Sequence, residues 1–272
     1  MISAVPFEYV AHVLTIPVRV CGTDTRFIFD TGIGVNLISE DLAARVGCHP
    51  DGSTFTGRRM SGQAVTVPLG SLESLQIGAS LTRDVPAGIF DMHAMAGLGG
   101  VGGFVSLSFF RTRPVTVDYS AGLLIVEDEA SLARRAAAGT PVAVHVGYDG
   151  PSTELKLDVD LPSSRSISAE VDTGSDVLIL DERLAAEAGI DLQGAEIRKV
   201  EARDETGHDF VRYFTELHGD IKVTGAPSIR AANPPVMFQH IIHDGLIGDR
   251  FLRNFTTTYD LPNSRLIFAI PS

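Results

Sequence analysis

The chain is poor in cysteine and in positive charge, and no stretch of it is long and apolar enough for a lipid bilayer. Its two cysteines, Cys21 and Cys48, could form one bridge, but two in 272 residues do not make a disulfide scaffold. A reduced, cytoplasmic protein is therefore the default expectation. Lys and Arg total 22 against 34 Asp and Glu, a formal net charge of −12. This argues against nucleic acid and against anionic membrane surfaces as partners, and leaves the acidic surface to serve solubility or to favour basic substrates. No apolar run reaches the ~18 residues that a membrane-spanning helix needs. The opening stretch "MISAVPFEYVAHVLTIPVRV" has no basic leader and is interrupted by Pro6, Glu8 and Pro17, so it reads as strand and not as a secretion signal. With so short a lead before the first strand, a long propeptide is not expected. What is present, 44% hydrophobic and 21% charged residues, suffices for one large or two modest domains with a real core.

The chain repeats itself. "FIFDTGIGVNLIS" (27–39) and "AEVDTGSDVLIL" (169–180) both place Asp-Thr-Gly between apolar runs, and the two aspartates are 172 − 30 = 142 residues apart. At that offset nine of the 21 positions from 27 to 47 are identical, among them Val35/Val177, Leu42/Leu184 and Gly47/Gly189. Without a gap the same offset aligns Phe109/Phe251, Arg111/Arg253, Thr116/Thr258, Asp118/Asp260 and Leu124/Leu266.

Each copy reads as mostly β. Short alternating segments such as "VLTIPVRV", "AVTVPLG" and "GLLIVED", or "ELKLDVDL", "FVRYFTEL" and "RLIFAI" in the second copy, are separated by Gly, Pro, Asp and Ser clusters. That is the pattern of a compact antiparallel domain. "SEDLAARVG" predicts a helix capped by Ser39 and stopped at Gly47, and "DERLAAEAG" (181–189) predicts its repeat. The Ala/Arg-rich segment 128–141 has no counterpart in the other copy and reads as the linker, which divides the chain into lobes 1–138 and 139–272.

One Asp-Thr-Gly alone is an ordinary turn, with Asp capping amides and Gly supplying a left-handed residue. Two at equivalent places in a repeated unit mean more. A pseudo-twofold axis between the copies would bring both loops face to face, and two carboxyls held that close share a proton and titrate as a coupled pair. One can then take a proton from water while the other polarises the bond under attack.

In these residues the chain resembles the aspartic protease superfamily, especially its retropepsin-like branch. The resemblance rests on the apolar-Asp-Thr-Gly element in each half, broken only by Glu170, and on "GLIGDRFLRNFTTTYDLPNSRLIFAI" (245–270), similar to that family's apolar-Gly element, short helix and closing turn and strand. It implies an all-β, bilobal pepsin/retropepsin-like fold with a pseudo-twofold duplication, and an aspartic endopeptidase with Asp30 and Asp172 as catalytic dyad. Thr31 and Thr173 would interlock the two loops, Gly32 and Gly174 would let the backbones approach, and Ser175 would support its aspartate. Two flap hairpins would cover the cleft, one with Met60, Ser61, Gly62 and Gln63 at its turn and one with Thr206, Gly207 and His208. The partner would be a peptide or protein substrate. No metal or other cofactor is implied, and one chain supplies the whole dyad without a second copy. The chain departs from the family's pattern at Ile33, where Ser175 stands in the second half, and at Ser106, where the second half has Gly248. These departures keep two other classes open: a peptide-binding module that has lost hydrolysis, and a non-proteolytic biosynthetic enzyme on the same fold.

Three further signals read as structural. "GLGGVGG" (97–103) contains Gly-x-Gly-x-x-Gly but lacks the flanking strand-helix-strand unit of a dinucleotide site, so it reads as a loop near the cleft. His240, His243 and Asp244 lack a second dependable pair of metal ligands. Arg58 and Arg59 read as solvated charges of the first flap.

Overall fold

The computed structural model describes residues 3–92, 100–203 and 209–271. Three sheets account for nearly all of the regular structure. An eight-stranded sheet is built from the first half of the chain, and a sheet of ten strands from the second. The third, of six strands, is shared: three come from the first half (Ser3–Pro6, Leu123–Val126, Val115–Asp118) and three from the second (Thr256–Asp260, Arg265–Ala269, Thr140–Ala143). The fold is all-β and bilobal, with the halves joined through this common sheet.

The join displays the internal symmetry. Val115–Asp118 pairs antiparallel with Thr256–Asp260, and at the centre Thr116 stands opposite Thr258, its equivalent 142 positions on. Their buried hydroxyls are 2.7 Å apart. A residue can face its own equivalent across an antiparallel pair only where a local twofold axis passes between them. Strand pairing near the motifs repeats at the same offset: Phe27, Ile28 and Phe29 pair with Gly103, Phe104 and Val105, and Ala169, Glu170 and Val171 pair with Gly245, Leu246 and Ile247.

The core follows from the period-two patterning of these strands. Leu14, Ile16, Phe27, Phe29, Phe110 and Leu124 in the first half, and Leu155, Leu157, Val171, Phe238, Tyr259 and Phe268 in the second, are almost completely excluded from solvent. Side chains also tie the halves together. Tyr9 donates from its hydroxyl to both carboxylate oxygens of buried Asp249 (3.1 and 3.0 Å). Arg111 donates to Thr153 Oγ1 (2.8 Å) and Gly150 O (2.9 Å) and lies over the Tyr148 ring.

The helix predicted at 40–47 is present as Glu40–Val46, with Ser39 accepting from Leu42 N–H and Gly47 closing it in the left-handed conformation. Its expected repeat at 181–189 is not an α-helix. Only a 3-10 turn, Glu182–Leu184, forms there. Asp181 caps Arg183 N–H, one residue earlier in the turn than Ser39 does, and its other oxygen accepts from Ile241 N–H (2.9 Å). The cap is shared with a neighbouring loop, and the first turn is wound tighter. The segment 128–141 contains the helix Glu129–Ala138, started by an Asp128/Ser131 capping box, and then enters the strand Thr140–Ala143. Cys21 and Cys48 are free thiols. Among the described residues no helix is long and apolar enough to cross a membrane.

Candidate active site

The two Asp-Thr-Gly loops meet at the floor of a cleft of about 900 Å³ between the halves. Each follows a strand, Thr23–Phe29 or Ser166–Val171, whose last residue is buried, so its start is held by the sheet. Asp30 N–H donates to Val105 O and Asp172 N–H to Ile247 O, both at 3.0 Å and again 142 residues apart.

The threonines cross over. Thr31 Oγ1 donates to Val171 O (2.7 Å) and accepts from Thr173 N–H (3.0 Å), while Thr173 Oγ1 donates to Phe29 O (3.1 Å) and accepts from Thr31 N–H (3.1 Å). Both side chains are buried, so these four bonds satisfy groups that water cannot reach. The glycines are required by proximity. A Cβ on Gly32 would stand 2.5 Å from Asp172 Cγ, and one on Gly174 would stand 2.5 Å from Asp30 Oδ2. Each backbone therefore abuts the opposite carboxyl.

The two carboxyls are supported unequally. Asp172 Oδ1 accepts from Gly174 N–H (2.8 Å), and its Oδ2 accepts from the Ser175 hydroxyl (2.5 Å). Asp30 Oδ1 accepts from Gly32 N–H (2.9 Å) and Ile33 N–H (3.1 Å), but Ile33 offers no hydroxyl for Oδ2. Burial first, and the neighbouring Asp172 charge second, push the Asp30 carboxyl from its ordinary 3.8 up to about 8, against the pull of the two N–H groups. Asp30 nonetheless opens onto the cleft, where a water or substrate can reach it.

Ser106 is accommodated by a local substitution of partners. Its N–H donates to Asn36 Oδ1 (3.0 Å), and its hydroxyl caps the 3-10 turn Leu107–Phe110 by accepting from Ser108 N–H. At the equivalent Gly248 a Cβ would collide with the carbonyl oxygens of Ser175 and Val177.

Residues 16–103 match a model of the aspartyl protease family. Over the whole length the chain is similar to a solved structure, the crystal structure of basic 7S globulin from soybean, with 11% identity, 98% of this chain and 94% of that chain covered, and a TM-score of 0.58. The family match lies within the first half of the chain, and the structural likeness over the whole length shows the fold. A comparison with curated proteins found no match.

Above the cleft floor lies a hairpin of Thr54–Arg58 and Ala64–Ile77, the segment read as the first flap. Its turn is closed by Gly62 N–H to Arg59 O (2.8 Å), with Gly62 at φ +84°. Met60 and Ser61 line the cleft, whereas Gly62 and Gln63 complete the turn. Met60 reaches across to the second half, where it packs against Ile179, Met237, Ile241 and Leu246, and its carbonyl accepts from Ile242 N–H (2.9 Å). The opposing hairpin is Arg198–Arg203 with Asp209–Glu216, and its expected tip, Thr206, Gly207 and His208, lies outside the described residues. Of the flap arginines, Arg58 donates to Gly62 O, and both Arg58 and Arg59 border the cleft.

The trio of His240, His243 and Asp244 does not converge. Asp244 pairs with Arg183, and exposed His240 lies toward Asp181. His243 instead turns into the cleft wall toward Glu170 (3.4 Å) and Glu154 (4.0 Å). This grouping was not apparent in the sequence, although Glu170 had marked it by interrupting the apolar run before Asp172. Ligand atoms of the three residues lie within 4.8 Å of one another, so their geometry would admit a metal ion.

Proposed function

We propose that the protein is an aspartic endopeptidase in which Asp30 and Asp172 activate water for attack on a peptide bond. One observation carries the reading: the reciprocal Thr31/Thr173 bonds that lock two Asp-Thr-Gly loops together and set their carboxyls side by side at the cleft floor. Such a lock has no purpose in a pair of independent turns. The unequal support assigns roles. Asp30, raised and lacking a hydroxyl donor, enters the reaction protonated, and Asp172 is the base.

The water oxygen bonds to the carbonyl carbon as Asp172 takes a water proton and Asp30 gives its proton to the carbonyl oxygen. The resulting gem-diol collapses when the proton on Asp172 passes to the amide nitrogen, the C–N bond breaks, and one diol hydroxyl returns its proton to Asp30. Atoms and charge balance, and both carboxyls end as they began. Extended substrate would pair with flap strands through main-chain hydrogen bonds and send alternate side chains into pockets. Lobes divided near residue 139 would each contribute one loop and one hairpin, and a single chain would suffice.

The test is incubation of wild-type, Asp30→Asn and Asp172→Asn proteins with a diverse peptide mixture from about pH 3.5 to 7.5, with new termini detected by mass spectrometry. Cleavage by the wild type alone is expected. Absence of cleavage across that range, with all three proteins folded, would sink the endopeptidase reading and leave a small-molecule catalyst or a binding module.

A further inference from the structure

The cleft is not symmetric, although the backbone that builds it is. Ile28 and Glu170 occupy equivalent places: each lies two residues before its aspartate, and each pairs in parallel with an equivalent residue, Phe104 or Leu246. Glu170 lines the cleft with Asp172, whereas Ile28 is wholly buried behind the first side of it. Val101 and His243 are also 142 positions apart. On the first side, Ile28 belongs to an apolar cluster with Val35, Leu37, Val67 and Phe104, against which Val101 packs. On the second side, the corresponding pair is Glu170 and His243, in contact at 3.4 Å.

Around Glu170 two carboxylates, Glu154 and Glu170, face one ammonium, Lys156, and the imidazole of His243. Lys156 Nζ lies 3.0 Å from Glu154 Oε1 and neutralises it. His243 is held toward its neutral form by burial and by the Lys156 charge. Glu170, almost wholly enclosed but bordering the cleft, accepts no hydrogen bond among the described residues. Burial first, then the charges of Asp172, Glu154 and Asp30, raise its carboxyl well above the usual range, with Lys156 opposing them. An ionisable group placed where an apolar one would be comfortable, and faced only by the imidazole of His243, is suited to receive a ligand's charge. A single positive charge brought by a ligand would offset these effects and favour the ionised carboxylate. A divalent ion would also fit the spacing but would have to sit beside the Lys156 ammonium.

We propose that Glu170, flanked by Glu154 and His243, is a specificity-determining subsite that receives one basic substrate side chain, while the Ile28 side of the cleft receives an apolar one on the other side of the scissile bond. This rests on the endopeptidase reading, and names its substrate class: peptides with an apolar and a basic residue flanking the cut.

The experiment has two arms. In the first, a peptide library is cleaved by wild type, Glu170→Gln and Glu170→Leu. A preference for Lys or Arg at one flanking position is expected in the wild type, reduced about 10–100-fold by Glu170→Gln, the worth of one charge-assisted contact. Glu170→Leu should convert that position to an apolar preference. In the second arm, catalysis is removed by Asp30→Asn, and binding of two peptides that differ only in Lys against Leu at that position is measured by fluorescence anisotropy. The Lys peptide should bind at least about tenfold more tightly, and the added Glu170→Gln substitution should erase the difference. Failure of cleavage with the binding difference intact would refute the endopeptidase reading and leave the subsite standing. No basic preference in either arm, a preference that survives Glu170→Gln, or tight zinc or manganese binding lost in Glu170→Gln would overturn the subsite.

Discussion

Ile33→Ser tests the electrostatic division of labour at the cleft floor. In the second half the Ser175 hydroxyl donates to Asp172 Oδ2 at 2.5 Å, and the equivalent position in the first half is Ile33, whose only gift to Asp30 is a backbone N–H. A serine there can donate to Asp30 Oδ2. A hydrogen bond to a charged group is worth roughly 1.5–3 kcal/mol, and one pKa unit corresponds to about 1.4 kcal/mol, so the Asp30 carboxyl should fall by roughly one to two units from its value of about 8. Loss of Ile33 from the apolar wall against which it packs should cost about 1 kcal/mol of stability, too little to unfold the protein.

Two measurements read the change. If Asp30 must be protonated to donate to the carbonyl, the alkaline limb of the pH profile of kcat/KM lies near pH 8 in the wild type and moves down by one to two units in the variant. The second needs no activity. A carboxyl whose pKa is raised by folding binds more protons folded than unfolded between about pH 4 and 8, so stability is full below pH 4 and is lost as pH rises through that window. The loss should be smaller in Ile33→Ser, measured by urea unfolding at a series of pH values. A folded variant with an unchanged alkaline limb and an unchanged slope of stability against pH would refute the argument that the missing hydroxyl keeps Asp30 protonated.

Other substitutions separate the remaining contributions. Asp30→Asn removes the cost of ionising that carboxyl: its gain over wild type should be negligible near pH 4 and approach on the order of 5 kcal/mol near pH 8, an upper bound set by about four pKa units, seen as a divergence of the two curves of unfolding free energy as pH rises. Thr31→Val keeps shape but strands Thr173 N–H and Val171 O in a buried place, and should cost roughly 2–4 kcal/mol by chemical denaturation, whereas Thr31→Ser should cost less than about 1 kcal/mol. Met60→Ala should loosen the flap tip from the second half by about 1–2 kcal/mol, which hydrogen exchange reads as roughly tenfold faster exchange at Ile242 N–H, and should raise KM more than it lowers kcat.

The sequence displayed the symmetric part of this molecule and concealed most of the asymmetric part. Backbone equivalence at an offset of 142 follows from repeated apolar runs, glycines and the Asp-Thr-Gly triplets, because sheet register and close backbone approach depend on residue type at each position. Ile33 was legible as a departure, since its counterpart Ser175 could be read off at the same offset. The shortened helix at 181–189 was not legible. Its cap is diverted by Ile241 N–H, a residue 60 positions away, and no local pattern encodes so distant a competitor. The Glu154, Glu170 and His243 grouping was hidden for the same reason: two of its members lie on adjacent strands and the third on a loop more than seventy residues further along.

The division has a physical logic. A pseudo-twofold frame places two identical loops opposite each other, but identical carboxyls in identical surroundings could not settle which one holds the proton. The Ile33/Ser175 difference breaks that equivalence, leaving Asp30 without the hydroxyl donor that Asp172 has. A peptide has direction, so a symmetric cleft would bind it equally well both ways round. Glu170 and His243 line one side of the cleft where their equivalents, Ile28 and Val101, belong to the apolar packing behind the other, so the cleft has two unlike ends. On the endopeptidase proposal, identity at the loops builds the site, and difference around them gives each aspartate its role and the substrate its orientation.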